Sequence, residues 1–413
     1  MGSYITLSAG ELELDWGKDD LFQNHSKLFS RNDIKEVPYY YAHGQMERNR
    51  AFCRKLRDVV RRLELLGYSI PAIGERFASN KVRWESDFPD LKIDLQTLSA
   101  IIQSVDLGQI NRNNEGEYKK LSEWVLNGIS CNRQIDRIGN ISDIVSIDNH
   151  DFFDHIHPYT VLRLLIENPR NLDFELCWRY SDVVEGGYVS EADLFEEISS
   201  EEKFLIVTEG SSDLFIIKKA LEILRPDILD FFSFVDMADH YPFTGTGNLY
   251  RFSQGLASIG IQNKVLIVYD NDTAGCDAYK RTRKLKLPAS MSVAKLPELA
   301  EFEHFLTLGP SGQNREDING TAVGTEHFLD LNYGTDTEPA IRWTSYDDKL
   351  GVYQGSLVGK KQYVKIFGEV RGRIDGYDFS KLEHLTDFLY RHCVEIGGRC
   401  ASTDQSRASF WDV

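Results

Sequence analysis

The sequence predicts an α/β protein: a central parallel sheet flanked by helices, between an α-rich amino-terminal domain and an α+β carboxy-terminal extension. Two observations lead there. One is a pair of continuous apolar runs, Phe204-Leu205-Ile206-Val207 and Val265-Leu266-Ile267-Val268, of the kind that forms strands buried on both faces of a parallel sheet. The other is the alternation of strand-like and helix-like stretches between positions 203 and 296, which implies right-handed crossovers. A chain of 413 residues has room for two or three domains, and they are expected at 1–195, 196–300 and 301–413.

Taken in order, Ile5-Thr6-Leu7 and Leu12-Glu13-Leu14 alternate about an Ala9-Gly10 turn, so the first 38 residues read as β-rich. From Gln45 to Leu66 the pattern is helical, with Phe52, Leu56, Val59, Val60, Leu63 and Leu66 on one face and Gly67 as the cap. Further helices are expected over Leu95–Val105, Tyr118–Ile129 and Pro158–Ile166, the last ending before Pro169. The acidic stretch Ser190–Glu202 is a helix or a linker. The central block then reads strand 203–208, helix 212–224, strand 231–236, helix 247–259, strand 264–269, helix 273–285 and strand 291–296. Leu205, Val207, Leu266 and Val268 should be buried in its sheet. Beyond it a helix over Val323–Leu331, a strand over Gln362–Gly368 and a helix over Ser380–Ile396 are expected.

The hydrophobic fraction of 42% and charged fraction of 27% are those of a soluble globular protein. No apolar stretch reaches membrane-spanning length, and Met1-Gly2-Ser3-Tyr4-Ile5 has neither region of a signal peptide. Six cysteines without a CxxC pair argue against a disulfide framework or a zinc ribbon; His392, Cys393 and Cys400 read as core. A cytoplasmic location is expected. The net charge of −17 denies the molecule the broad basic surface of a long nucleic-acid footprint. Two local basic patches remain. Arg48, Arg50, Arg54, Lys55, Arg57, Arg61 and Arg62 read as a solvated helix face. For Lys280, Arg281, Arg283 and Lys284, which follow an acidic motif, nucleic-acid binding and a solvated face are equally good readings.

The chemistry concentrates at the ends of the two apolar runs, in Glu209-Gly210-Ser211-Ser212-Asp213 and Asp270-Asn271-Asp272-Thr273-Ala274-Gly275. Ligands of open α/β sheets sit where strand carboxyl ends meet helix starts. Carboxylates gathered there bind hard cations such as Mg²⁺ or Mn²⁺. Asp270 and Asp272 point to one side of an extended segment. Either cluster alone is equally a helix cap; two at strand ends of one block are harder to explain that way. Glu209, Asp270 and Asp272 are expected to share one ion, with Asp213 at the rim, where a favourable first-turn charge is the competing reading. A second ion would draw on Glu298, Glu301, Glu303, Asp317 or Glu326. Glu326 is preferred, though a capping role suits it too. Lys295 could reach a phosphate or face solvent, and His155 and His157 read as structural.

The two acidic motifs together, over roughly residues 200–300, resemble the Toprim domain of topoisomerases, bacterial primases, RNase M5-type maturases and nucleases of the overcoming-lysogenization-defect class. The resemblance implies that Asp270 and Asp272 ligate Mg²⁺ or Mn²⁺ and that Glu209 is a further ligand or the general acid/base. Asp213 completes the Glu-Gly-x-x-Asp of the nuclease-type members. Met1-Gly2-Ser3-Tyr4, Glu13-Leu14-Asp15-Trp16-Gly17-Lys18 and Leu63-Glu64-Leu65-Leu66-Gly67-Tyr68 resemble the HEPN/Toprim-associated amino-terminal domain of bacteria. The arginine–histidine spacing of HEPN ribonucleases is absent. Among the Toprim classes, a metal-dependent nuclease acting on DNA or RNA, tRNA included, in anti-phage defence fits best. A defence-system partner protein and a homo-oligomer fit that setting, and a membrane does not. The rival is a non-catalytic module that senses a nucleotide or partner.

Overall fold

The computed structural model describes residues 3–41, 45–88, 91, 93–110, 119–131, 134–135, 139–143, 145–234, 245–310, 312–348 and 350–408. They form two compact units, one running to Glu197 and resuming at Ala401, the other spanning Ile198–Cys400. Among the described residues no helix is long and apolar enough to cross a membrane.

The first unit contains β1 (Tyr4–Ala9), β2 (Leu12–Lys18), β3 (Ile34–Tyr40), β4 (Met46–Lys55), α1 (Leu56–Leu65), α2 (Ile70–Asp87), α3 (Leu95–Gln103), α4 (Leu121–Ser130), two-residue strands β5 (Gln134–Ile135) and β6 (Gly139–Asn140), α5 (Pro158–Leu165), β7 (Glu175–Arg179), α6 (Ser181–Glu185) and α7 (Glu191–Leu194). Its frame is an antiparallel sheet of order β2-β1-β7-β4-β3, so the β part of this unit is larger than the small entry expected and stands beside the helices. The helix expected from Gln45 begins only at Leu56. Met46–Lys55 is instead a strand held between β3 and β7, with Ala51, Phe52 and Cys53 buried in succession. Phe52 lies 5.9 Å from Trp178 of β7, ring to ring. The arginines of this segment are structural: Arg54 pairs with Asp33 at 2.9 Å and Arg50 with Glu191 at 2.6 Å. Buried Arg62 donates to the Lys27 carbonyl. Helices α3, α4 and α5 lie where expected; Tyr118 is outside the described residues.

The second unit contains β8 (Phe204–Val207), α8 (Ser211–Leu224), β9 (Phe232–Phe234), α9 (Thr246–Ile259), β10 (Lys264–Tyr269), β11 (Asn271–Asp272), α10 (Thr273–Thr282), β12 (Met291–Lys295), β13 (Phe305–Gly309), β14 (Gly312–Glu316), β15 (Ala322–Val323), β16 (Ala340–Asp347), β17 (Val352–Leu357), α11 (Lys360–Glu369) and, as far as Cys400, α12 (Ser380–Ala408). The central sheet, order β12-β10-β8-β9, is parallel throughout. Positions 235–236 of the third expected strand are outside the described residues. Val265, Ile267 and Tyr269 of β10 alternate onto one face, where Leu249 and Leu256 of α9 and Ala278 of α10 cover them. Leu266 and Val268 are buried on the other. Leu205 is only half-buried. The buried Tyr269 hydroxyl joins Thr282 of α10 at 2.9 Å.

Two expectations beyond the central block change. Val323–Leu331 is β15 followed by a single 3-10 turn, Thr325–Phe328. Gln362–Gly368 is not a strand but part of α11, burying Tyr363 and Phe367 one helical turn apart. A mixed sheet of order β14-β13-β16-β17 completes this unit.

Candidate metal centre

Both acidic motifs emerge at the carboxyl ends of neighbouring parallel strands. β8 delivers Glu209 and, in the first turn of α8, Asp213; its neighbour β10 delivers Asp270 and Asp272. Gly275 explains the spacing of the second motif. A Cβ there would lie 2.3 Å from the Asp270 carbonyl oxygen, so only glycine lets α10 start this close to the strand end. Asp272 caps α10, accepting from the Gly275 amide at 2.7 Å.

The third contributor comes from further along the chain. Asn271 and Asp272 pair antiparallel with Val323 and Ala322, and the 3-10 turn that follows β15 carries Glu326 into the cluster. A Cβ at Gly324 would lie 2.8 Å from Glu326 Oε2. Lys360, in the first turn of α11, meets that oxygen at 3.0 Å. A helix amino terminus disfavours a cation, so acidic neighbours hold this lysine in place. Gln354 of β17 closes the set, donating through Nε2 to Asp272 Oδ2 and accepting through Oε1 from the Ala274 amide at 3.2 Å.

The carboxylates act on one another. Burial, then Asp272 and Asp213, push Glu209 up to about 7, against hydrogen bonds from the Thr246 hydroxyl and the Asp270 amide. Burial first, then Glu326, lift Asp213 to about 6, although Lys360 opposes the rise. Asp270, half-buried at the strand end, is raised well above an ordinary aspartate by desolvation and then by Asp213, Glu209, Glu326 and Asp272. Asp272 is raised chiefly by burial. Burial works against the Lys360 charge, yet Glu326 and Asp213 outweigh it and its pKa rises.

Two expectations need correction. Glu209, Asp270 and Asp272 do not each bring an oxygen within 4.8 Å of the others; both oxygens of Asp272 and of Glu209 accept hydrogen bonds. Asp213 is not at a rim: it is 4% exposed, with Oδ1 buried and without a hydrogen-bond partner. Among the described residues, the group that does meet the 4.8 Å spacing is Cys53, Glu175 and Cys177, in the first unit. Its thiols are soft ligands ill suited to Mg²⁺, and Glu175 is paired with Lys35.

Of the five candidates for a second ion, Glu326 alone is buried; Glu298, Glu301, Glu303 and Asp317 are exposed. Lys295 pairs with Glu298 at 2.9 Å. His157 caps α5 and meets the Tyr68 hydroxyl, and His155 packs on Phe88. Lys280, Arg281, Arg283 and Lys284 are exposed at the carboxyl end of α10, about 15 Å along the helix from Asp272 at 1.5 Å per residue. They do not sit beside the acidic centre. Arg281 stacks over Tyr250 at 4.0 Å and pairs with Asp277. Thr246, Gln354 and Lys360 escaped the sequence reading. Gly359, at φ 75°, is the one local sign that a helix opens at Lys360.

Residues 1–202 match the family model described as HEPN/Toprim N-terminal domain 1. The chain carries a HEPN/Toprim-associated amino-terminal domain. No curated protein and no solved structure matches the chain. The HEPN/Toprim match covers the antiparallel sheet and stops before β8. It gives the chain a nuclease-related setting, while the acidic centre stands on its own residues.

Proposed function

We propose that the second unit is a divalent-metal-dependent phosphodiesterase that cleaves nucleic acid, in bacterial anti-phage defence and alongside a defence-system partner protein. One observation carries the reading: two strand-end acidic motifs meet in one electrostatic cluster, which the distant Glu326 joins, and the carboxyls of Glu209, Asp213 and Asp270 are pushed upward there. Buried like charges of this density call for a cation. The donors fit Mg²⁺ or Mn²⁺: all are oxygens, Asp213 Oδ1 has no partner, and Asp270 has no hydrogen bond to its carboxylate among the described residues. Asp270 and Asp213 would hold the ion, with Glu326, Glu209 and Asp272 beside them, since no three of these carboxylates bring oxygens within 4.8 Å of one another. Mg²⁺ is commonly held by one or two carboxylates and keeps several waters, so a closed cage is not required.

When bound, the ion offsets the acidic charge, polarises the phosphate and lowers the pKa of a water. The remaining work falls to the chain. Glu209, at about 7, exchanges a proton near neutrality and is aimed by Thr246 and the Asp270 amide. Lys360 neutralises Glu326 and offers an ammonium for a phosphate oxygen. The test is to incubate the protein with plasmid, single-stranded DNA and tRNA, with Mg²⁺, Mn²⁺ or EDTA. Cleavage is expected with either ion and none with EDTA. Asp270→Ala/Asp272→Ala should abolish it, and cleavage surviving in that double variant would overturn the proposal.

A further inference from the structure

The hairpin of β16 and β17 carries three aromatic rings on one face. Tyr346 and Tyr353 are directly opposed, with ring centroids 4.9 Å apart, and Tyr353 lies 5.9 Å from Trp343. Residues 343 and 346 would fall on opposite faces of a regular strand. The pairing skips a residue between Trp343 and Ser345, and such a bulge returns both to the same side. Gly355, opposite Trp343, leaves room for Ile341, Ala322 and the indole: a Cβ there would lie 2.5 Å from Ile341 Cγ2, 2.8 Å from Ala322 Cβ and 2.9 Å from the Trp343 ring. The ladder is open to solvent, Tyr346 being 51% and Tyr353 45% exposed, with Leu350 at the tip 45% exposed.

This face is tied to the acidic centre through the edge strand β17. Thr273, the first residue of α10, donates to the Tyr353 carbonyl at 2.8 Å. The next residue, Gln354, is the one that holds Asp272. Tyr353 and Gln354 point to opposite sides of β17, so a chain leaving the centre around that edge reaches the rings. Glu316, bonded to the Trp343 indole, and Asp347 make the ladder a poor place for phosphates. Its aromatic faces suit bases.

We propose that Trp343, Tyr346 and Tyr353 form a stacking platform for unpaired bases, so that the substrate is single-stranded nucleic acid. The proposal rests on the phosphodiesterase reading and names its substrate class. Every base has a π-face, so such a platform is tolerant of sequence and closed to bases already stacked in a duplex.

The experiment compares the wild type with Tyr346→Ala/Tyr353→Ala and Tyr346→Phe/Tyr353→Phe. Fluorescence anisotropy follows binding of labelled phosphorothioate oligothymidylate, oligouridylate and a duplex, in Mg²⁺. The alanine pair should bind both single strands about tenfold more weakly or worse, leave the duplex unchanged, and be rescued by the phenylalanine pair. The better-bound single strand identifies DNA or RNA. Unchanged single-strand affinity, or equal loss on the duplex, overturns the platform. So does a wild-type dimer that the alanine pair dissociates, because the face then belongs to a second copy. Normal ring-dependent binding without cleavage of unmodified strands would sink the phosphodiesterase reading alone.

Discussion

At Asp270 desolvation and chemistry conflict. Several carboxylates press on it, and ionising it in the metal-free protein works against folding. The sign follows from linkage: a carboxyl raised in the folded state stabilises below its unfolded value and loses that contribution as pH climbs through the folded value. For Glu209 the window runs from 4.5 to about 7, and for Asp213 from 3.8 to about 6. The Glu209 displacement alone corresponds to roughly 3 kcal/mol, as an upper bound, because the groups share one field. In EDTA, the thermal midpoint should therefore fall between pH 5 and pH 8. Asp270→Asn should flatten that fall and melt higher than wild type at pH 8. A flat wild-type profile would show that the carboxyls are not strained. Glu209, Asp270 and Asp272 were legible in the sequence because their motifs are local. Lys360 and Gln354 were not, since Gln354 meets Asp272 across 82 positions of chain and Lys360 reaches the centre by pairing with Glu326 from another element.

Among the elements, α10 depends on a single missing Cβ. Its first turn packs against the Asp270 carbonyl, and that backbone atom cannot swing aside as a side chain could. Gly275→Ala should cost about 1–3 kcal/mol by overpacking, read as a lower urea midpoint. It should also weaken Mg²⁺ affinity in calorimetry, because Asp272 moves with the helix it caps. Wild-type stability and affinity in this variant would mean that the close approach is unimportant. The central strands were readable for a related reason: β8 and β10 are buried on both faces, so hydrophobicity alone marks them. β4 was misread because its apolar residues also fit a helical face, and β7, which decides the matter, lies far along the chain. In α11 the β-branched Val364 and Ile366 suggested a strand, while burial of Tyr363 and Phe367 follows the helical period.

For the molecule as a whole, a net charge of −17 sets the terms on which a polyanion can approach. The acidic centre repels phosphate until a cation is bound, and the basic run at the far end of α10 is too distant to screen it. Binding should therefore need Mg²⁺ at one end of the helix and be strengthened by exposed Lys280 and Lys284 a few nucleotides away at the other. Arg281 is less suited, being engaged by Tyr250 and Asp277. Each phosphate contact to a single strand contributes about 0.7 to the slope of log affinity against log salt. Lys280→Glu/Lys284→Glu should reduce that slope by about 1.4 if both lysines touch phosphate. Circular dichroism should be unchanged, because the two lysines are exposed at and beyond the end of α10. Removing Mg²⁺ should abolish binding in both proteins. An unaltered slope in the variant would mean that the strand leaves the centre by another path, with the acidic cluster's own requirement for metal untouched.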